Sequence, residues 1–272
     1  IMSTFETIRK FRYPQAATTS LALHPQVDNI IAIGMNDSSI LIFDIYYRKI
    51  LKKLMGHYKR ITGLAFSYVL NVLVSFGADN QILVWSSDGW ERQNGKFLQI
   101  PTGREPGVPS DASILFHQDQ LHFLVQHGTQ LAIYETMELE CVKQWFPGES
   151  FAPISHATFS CDGQLVFATF LDGTVGIFGA SNLYLQRLIN PAAYLPFISS
   201  CWYDVYPLVI AAHPQEPSQF SVGLSNGEVV VFEPLESEGK WGLSLTFENG
   251  STSSMPTASQ VALSSSSNCR VD

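Results

Sequence analysis

The sequence predicts an all-β fold, an incomplete β-propeller of about five blades with one further outer strand at the N-terminus. Three observations carry this. A three-strand pattern recurs five times along the 272 residues. Each copy ends on an aromatic residue, Phe43, Trp85, Tyr134, Phe178 and Phe232, at spacings of 42, 49, 44 and 54. No segment of useful length has a helical period, whereas turn residues punctuate short apolar runs throughout.

The five copies are SLALHPQVDNIIAIGMNDSSILIFD (20–44), TGLAFSYVLNVLVSFGADNQILVWS (62–86), SILFHQDQLHFLVQHGTQLAIYE (113–135), ATFSCDGQLVFATFLDGTVGIFG (157–179) and IAAHPQEPSQFSVGLSNGEVVVFE (210–233). In each, an apolar strand leads through a turn to a second strand, and a tight turn leads to a third. His24-Pro25 and His213-Pro214 fall where a first strand must stop, because proline has no N–H for the ladder. Asp162-Gly163, Asp172-Gly173 and Asn226-Gly227 supply residues that tolerate positive φ in two-residue hairpins. Short runs between the copies, Glu6–Phe11, Ile50–Leu54, Cys141–Trp145 and Leu185–Ile189, read as fourth, outer strands. A small twisted sheet cannot cover both its faces alone. Radial packing of successive sheets solves that problem, and the propeller follows from it.

Composition fits this picture. Hydrophobic residues make up 46% of the chain and charged residues only 15%, with 19 Gly and 14 Pro. The net charge of −8 is uneven: residues 1–60 carry nine Lys/Arg against four acids, the rest seven against twenty. An acidic majority disfavours broad nonspecific nucleic-acid binding and suits basic protein partners such as histone tails. The basic run 48–60 reads first as a solvated rim. Cys141, Cys161, Cys201 and Cys269 form no CxxC pair, so neither a zinc site nor a redox motif is signalled. There is no uninterrupted apolar run long enough for a membrane span, so no membrane association is expected. From Ser244 onward the chain is rich in Ser and Thr and reads as a disordered tail, which divides the chain into blades over 1–243 and a tail over 244–272.

Three constellations invite a chemical reading. GLSNG (Gly223–Gly227) fits the GxSxG nucleophile pattern, yet a strand, EVVVF, follows where a hydrolase needs a helix. His117, His122 and His127 recur every five residues, an odd interval that puts neighbours on opposite faces of a strand and prevents one metal from collecting all three. His57, Ser75 and Asp79 have the residue types of a hydrolytic triad, which would need an accessible nucleophile beside oxyanion donors. No catalytic residue, cofactor or metal is assigned, and the expected protein is not an enzyme.

Gly56-His57, then Asp79 in a turn, then Trp85 closing a third strand, match the layout of a WD repeat. The resemblance implies a structural tetrad of His57, Ser75, Asp79 and Trp85, in which a buried indole N–H and a serine hydroxyl find partners. The other four copies lack the tryptophan and the Gly-His pair. HPQVDNIIAIGMNDSSI (24–40), GHYKRITGLAFSYVLNVLVSFGAD (56–79), FHQDQLHFLV (116–125), QLAIYETMELECVKQW (130–145), LVIAAHPQEPSQFSVGLSNG (208–227) and FEPLESEGKWG (232–242) resemble the C-terminal propeller of plant Topless-related transcriptional corepressors. That resemblance implies a nuclear scaffold regulating transcription in hormone and developmental signalling. It also implies protein partners: transcriptional repressors or their adaptors, histones or histone deacetylase complexes. No direct sequence-specific nucleic-acid contact is implied. The N-terminal helical tetramerisation domain of such proteins has no counterpart in this sequence, and five blades fall short of a seven-blade ring. Candidate partner contacts are Tyr58, Lys59 and Arg60, beside His57, and the aromatics Trp202 and Tyr203. The alternative is a generic WD40 scaffold of a cytosolic or ubiquitin-ligase complex.

Overall fold

The computed structural model describes residues 16–99, 112–148, 151–190 and 205–233. Within these residues every regular element is a strand. The first sheet holds β1 (Thr18–Leu23), β2 (Ile30–Met35), β3 (Ile40–Asp44) and β4 (Lys49–Leu54). The second holds β5 (Ile61–Ser67), β6 (Val72–Gly77), β7 (Gln81–Ser86) and β8 (Arg92–Phe97). The third holds β9 (Ser113–Phe116), β10 (His122–His127), β11 (Gln130–Glu135) and β12 (Cys141–Trp145), and the fourth β13 (Ile154–Phe159), β14 (Leu165–Phe170), β15 (Val175–Gly179) and β16 (Leu185–Ile189). The fifth holds β17 (Pro207–Ala212), β18 (Phe220–Leu224) and β19 (Val229–Phe232). Each is an antiparallel meander with its strands in chain order. This is the architecture of an incomplete propeller, with blades 1 to 5 in succession.

The core lies between blades, and strand alternation builds it. Along β7, Ile82 and Val84 point to one side and join Phe123, Val125 and Tyr134 of blade 3. Leu83 and Trp85 point to the other side and join Ile40 and Ile42 of blade 1. The middle strands are therefore apolar at nearly every position, because both of their faces are covered. Each side chain so enclosed contributes about 1.5–3 kcal/mol relative to exposure. Trp85, Tyr134, Phe178 and Phe232 all lean against the preceding blade. Phe76, which stands where a smaller residue is usual in a WD repeat, is fully buried in the same interface as Phe123.

The loops at one end of the blades are linked in series. Gln26 Nε2 donates to the Tyr68 carbonyl at 3.2 Å, Ser67 Oγ to the Gln120 carbonyl at 2.7 Å, and His117 Nε2 to the Gly163 carbonyl at 3.1 Å. Gly163 has φ +71°, and an added Cβ there would strike the His117 ring. At the opposite end, the hairpins into the third strands use positive φ at Ser38, Asn80, Gly173 and Gly227.

Two sequence expectations need comment. Strand β8, RQNGKF, was not anticipated, because it is polar on both faces and shows no alternation. The outer strand expected at Glu6–Phe11 and the tail from 244 lie outside the described residues.

Candidate functional site

Blade 2 brings His57, Ser75, Asp79 and Trp85 together. Ser75 sits in the middle of β6 and Trp85 near the end of β7. Asp79 lies in the hairpin between those strands, and His57 in the segment that carries the chain from blade 1 into β5. Trp85 Nε1 donates to Ser75 Oγ at 2.9 Å. The Ser75 hydroxyl lies 2.8 Å from His57 Nε2, and His57 Nδ1 lies 3.2 Å from Asp79 Oδ1. One proton assignment satisfies every group: the indole donates to Ser75, Ser75 donates to Nε2, and Nδ1 donates to the carboxylate. Asp79 also accepts from the Tyr58 N–H at 2.7 Å and the Gln81 N–H at 3.1 Å. The carboxylate thus ties the entry loop to the hairpin.

Chemically, this order of contacts is that of a serine–histidine–carboxylate relay. Two features separate it from a nucleophilic site. Ser75 has no exposed surface, and its oxygen already receives the indole proton. Burial lowers the His57 pKa, and the charge of Asp79 offsets only part of that effect, so the imidazole is neutral near pH 7.

The other blades replace the polar set in concert. The strand registers align Ser75 with Ile33, Val125, Ala168 and Val222, and Trp85 with Phe43, Tyr134, Phe178 and Phe232. Where the indole N–H is gone, so is the hydroxyl that would receive it. The pairs of blades 1, 4 and 5 are apolar and need no buried hydrogen bond, while in blade 3 the Tyr134 hydroxyl meets Cys141. The sequence repeat alone did not reveal this paired replacement. It required the cross-strand register.

The candidate contact residues lie beside the tetrad. Tyr58 is 79% exposed, Lys59 is exposed, and Arg60 is partly buried at the start of β5. Trp202 and Tyr203 lie outside the described residues. Sequence reasoning overlooked a group of exposed aromatics at the other end of the blades: Tyr46 and Tyr47, with Lys49 Nζ 5.5 Å from the Tyr47 ring, and Tyr68. Adjacent tyrosines in a turn between two strands were the available signal.

The histidines at 117, 122 and 127 do not converge. His122 and His127 stand at opposite ends of β10, and His117 precedes it in a loop. His117 and His122 both approach Asp119, whose carboxyl is held down to about 2. Burial alone would raise that carboxyl. Hydrogen bonds from the His122 ring and from the His122 and Leu121 N–H groups outweigh it. His127 Nδ1 instead lies 2.7 Å from Thr129 Oγ1. Among the described residues no group of three His, Cys, Asp or Glu side chains could hold a metal ion. Ser225 of GLSNG lies in the hairpin between β18 and β19, and a strand follows it. Cys141 and Cys161 are free thiols, and no helix among the described residues is long and apolar enough to cross a membrane.

Comparison with known proteins agrees with this geometry. Residues 48–86, which contain the whole tetrad, match the family "WD domain, G-beta repeat". The chain is 60% identical over 265 residues to Protein TOPLESS of Arabidopsis thaliana, covering 97% of this chain and 23% of that protein. It is 58% identical to Topless-related protein 1 of Arabidopsis thaliana (97% of this chain, 24% of the relative) and 57% identical to Protein TPR3 of Oryza sativa subsp. japonica (97% and 23%). The chain thus spans about a quarter of the length of these relatives. By its repeat and by this identity along nearly its whole length, the chain belongs to the Topless-related WD40-repeat family.

Proposed function

We propose that this chain is a non-enzymatic protein-interaction platform of a plant transcriptional corepressor that acts in the nucleus. The observation that carries the reading is the 60% identity to Protein TOPLESS across 97% of the chain. The partners are transcriptional repressors or their adaptors, and histones or histone deacetylase complexes. The setting is hormone and developmental signalling. The platform comprises residues 1–243, followed by a Ser/Thr-rich tail over 244–272.

The geometry supports scaffolding over catalysis. The relay-like constellation of blade 2 is sealed in the blade, with Ser75 0% exposed. Its product is rigidity at the rim: Asp79 fixes the Tyr58 backbone at 2.7 Å and leaves the Tyr58 and Lys59 side chains exposed. A rigid loop with an aromatic and two cations loses little entropy when a partner docks. Tyr58, Lys59 and Arg60 are accordingly the contact residues, and the tetrad is their support.

The test is immunoprecipitation of the tagged chain from plant cells, together with its localisation. Nuclear accumulation and recovery of histone deacetylase subunits are expected. Their joint absence would refute the corepressor reading and favour a WD40 scaffold in another complex.

A further inference from the structure

Blade 1 presents an outer surface unlike those of blades 2 and 3. In those blades acids sit in the turn that leads into the fourth strand, Asp88 and Glu91 before β8, and Glu138 and Glu140 before β12. The turn before β4 carries Tyr46, Tyr47 and Arg48 instead. Between Asp44 and Asp79 the sequence has six Lys or Arg and no Asp or Glu, which leaves ten of the 16 Lys and Arg to balance all 24 acids elsewhere. Every residue from Tyr46 to Lys53 is exposed, and so are Met55, Tyr58 and Lys59 in the loop that follows. The apolar members are large: Tyr46 is 77% exposed, Met55 59% and Ile50 41%. Single exposed apolar residues are ordinary. Interleaved with cations along one strand and its two flanking turns, these form a continuous patch.

The two acids that bound this stretch are turned inward. Asp44 is buried and accepts from Asn29 Nδ2 at 2.9 Å and from the Tyr47 N–H at 2.8 Å. The Asp79 side chain is 6% exposed and accepts from the Tyr58 N–H at 2.7 Å. Each carboxylate thus pegs the backbone of an exposed tyrosine, one at either end of β4, while staying withdrawn from the surface. The Tyr46 and Tyr47 rings meet edge-on at 5.1 Å, and Lys49 Nζ lies 5.5 Å from the centre of the Tyr47 ring. Lys53 is paired with Asp37 at 3.3 Å. Among the described residues, Lys52 and Lys59 pair with no acid.

We propose that the outer strand of blade 1, with its two flanking turns, binds an extended segment of another protein that is acidic and interspersed with apolar residues. The six residues of β4 span about 20 Å, and a segment of similar length lies along them. Its carboxylates meet Lys52 and Lys59. Its apolar side chains rest against Ile50, Met55 and the tyrosines. Charge complementarity selects such a partner here, because the rest of the chain repels it. The exposed aliphatic groups favour a polypeptide over a nucleic-acid backbone, which has no apolar side chains to set against them. This surface extends the contact loop assigned above to Tyr58 and Lys59 and rests on that assignment.

The probe is a fluorescently labelled synthetic peptide, EIDFEIDF, and its binding to the full 272-residue chain is followed by anisotropy. Purified components keep the outcome separate from the nuclear corepressor reading, which the immunoprecipitation tests. Saturable binding that weakens with salt is expected. Lys52→Glu or Lys59→Glu should each weaken it by about tenfold. Lys143→Glu makes the same charge change on the exposed outer strand of blade 3 and should alter it by less than about twofold. Met55→Ser should weaken it by about fivefold, and a peptide with Ser in place of Ile and Phe should bind as poorly. Unchanged thermal unfolding is the control for folding in each variant. Equal losses from Lys52→Glu and Lys143→Glu, or equal binding of the two peptides, would overturn the proposal. So would tighter binding of a labelled oligothymidylate, which gives the patch to nucleic acid. Dimers of the chain that Lys52→Glu abolishes would overturn it too, by giving the patch to a second copy.

Discussion

Trp85 Nε1 donates to Ser75 Oγ at 2.9 Å across neighbouring strands β6 and β7, and neither group has another polar partner as close except His57 on Ser75. The Ser75 hydroxyl accepts the indole N–H and lies within hydrogen-bond reach of His57, with no solvent access.

Ser75→Ala should therefore destabilise the chain by about 1–3 kcal/mol, since it leaves the Trp85 N–H and His57 Nε2 buried without partners. Denaturant unfolding measures the change. An unaltered midpoint would refute the tetrad as a source of stability.

Trp85→Phe in the Ser75→Ala background should restore part of that loss, because the combination reproduces the Ala168/Phe178 pair of blade 4. A double-mutant cycle should give a coupling of about 0.5–3 kcal/mol. Additive effects would show that the two residues do not act as a unit.

Gly163→Ala should cost about 1–2 kcal/mol from the backbone alone, because Gly163 has φ +71°. The contact of the new Cβ with the His117 ring adds to it. Gly173→Ala, at φ +93° with open space around the Cβ, separates backbone strain from the clash. If both variants lose the same stability, the His117 contact contributes nothing.

Acidification should unfold the chain through its buried histidines. Burial lowers the pKa of His24, His57, His127 and His156 below the ordinary 6.5. The unfolded chain then takes up protons at a pH where the folded chain does not. This contribution to stability is complete above about pH 6.5 and is lost as pH falls toward the folded-state values. Protonation also turns ring nitrogens that accept backbone N–H groups into donors, at His24 from Gln26 and Val27 and at His156 from Ile210. Thermal melts should shift downward from about pH 7.5 to pH 5.5. A flat profile across that window would contradict the assignment.

Lys59→Glu should weaken recovery of the nuclear partners while changing stability by less than about 0.5 kcal/mol, as for an exposed side chain. Equal recovery of nuclear partners by the variant and the parent chain would move the contact surface away from this loop.

The sequence by itself determined the blade repeat and the family. Alternating apolar positions, hairpin dipeptides and a closing aromatic are local requirements, so they are written at fixed spacing in the chain. Its resemblance to a WD repeat also nominated His57, Ser75, Asp79 and Trp85. It did not announce β8, whose RQNGKF is polar because an outer strand has little core to cover. Only the tertiary structure showed that Ser75 is fully buried and already receives the indole N–H, since residue types are the same for a relay and a brace. Only the cross-strand register revealed that Ile33, Val125, Ala168 and Val222 stand where blade 2 has serine, so that loss of the indole N–H and loss of its acceptor go together. Contacts such as Ser67 to Gln120 join residues far apart in the chain. They depend on how one blade is set against the next, which no local pattern encodes.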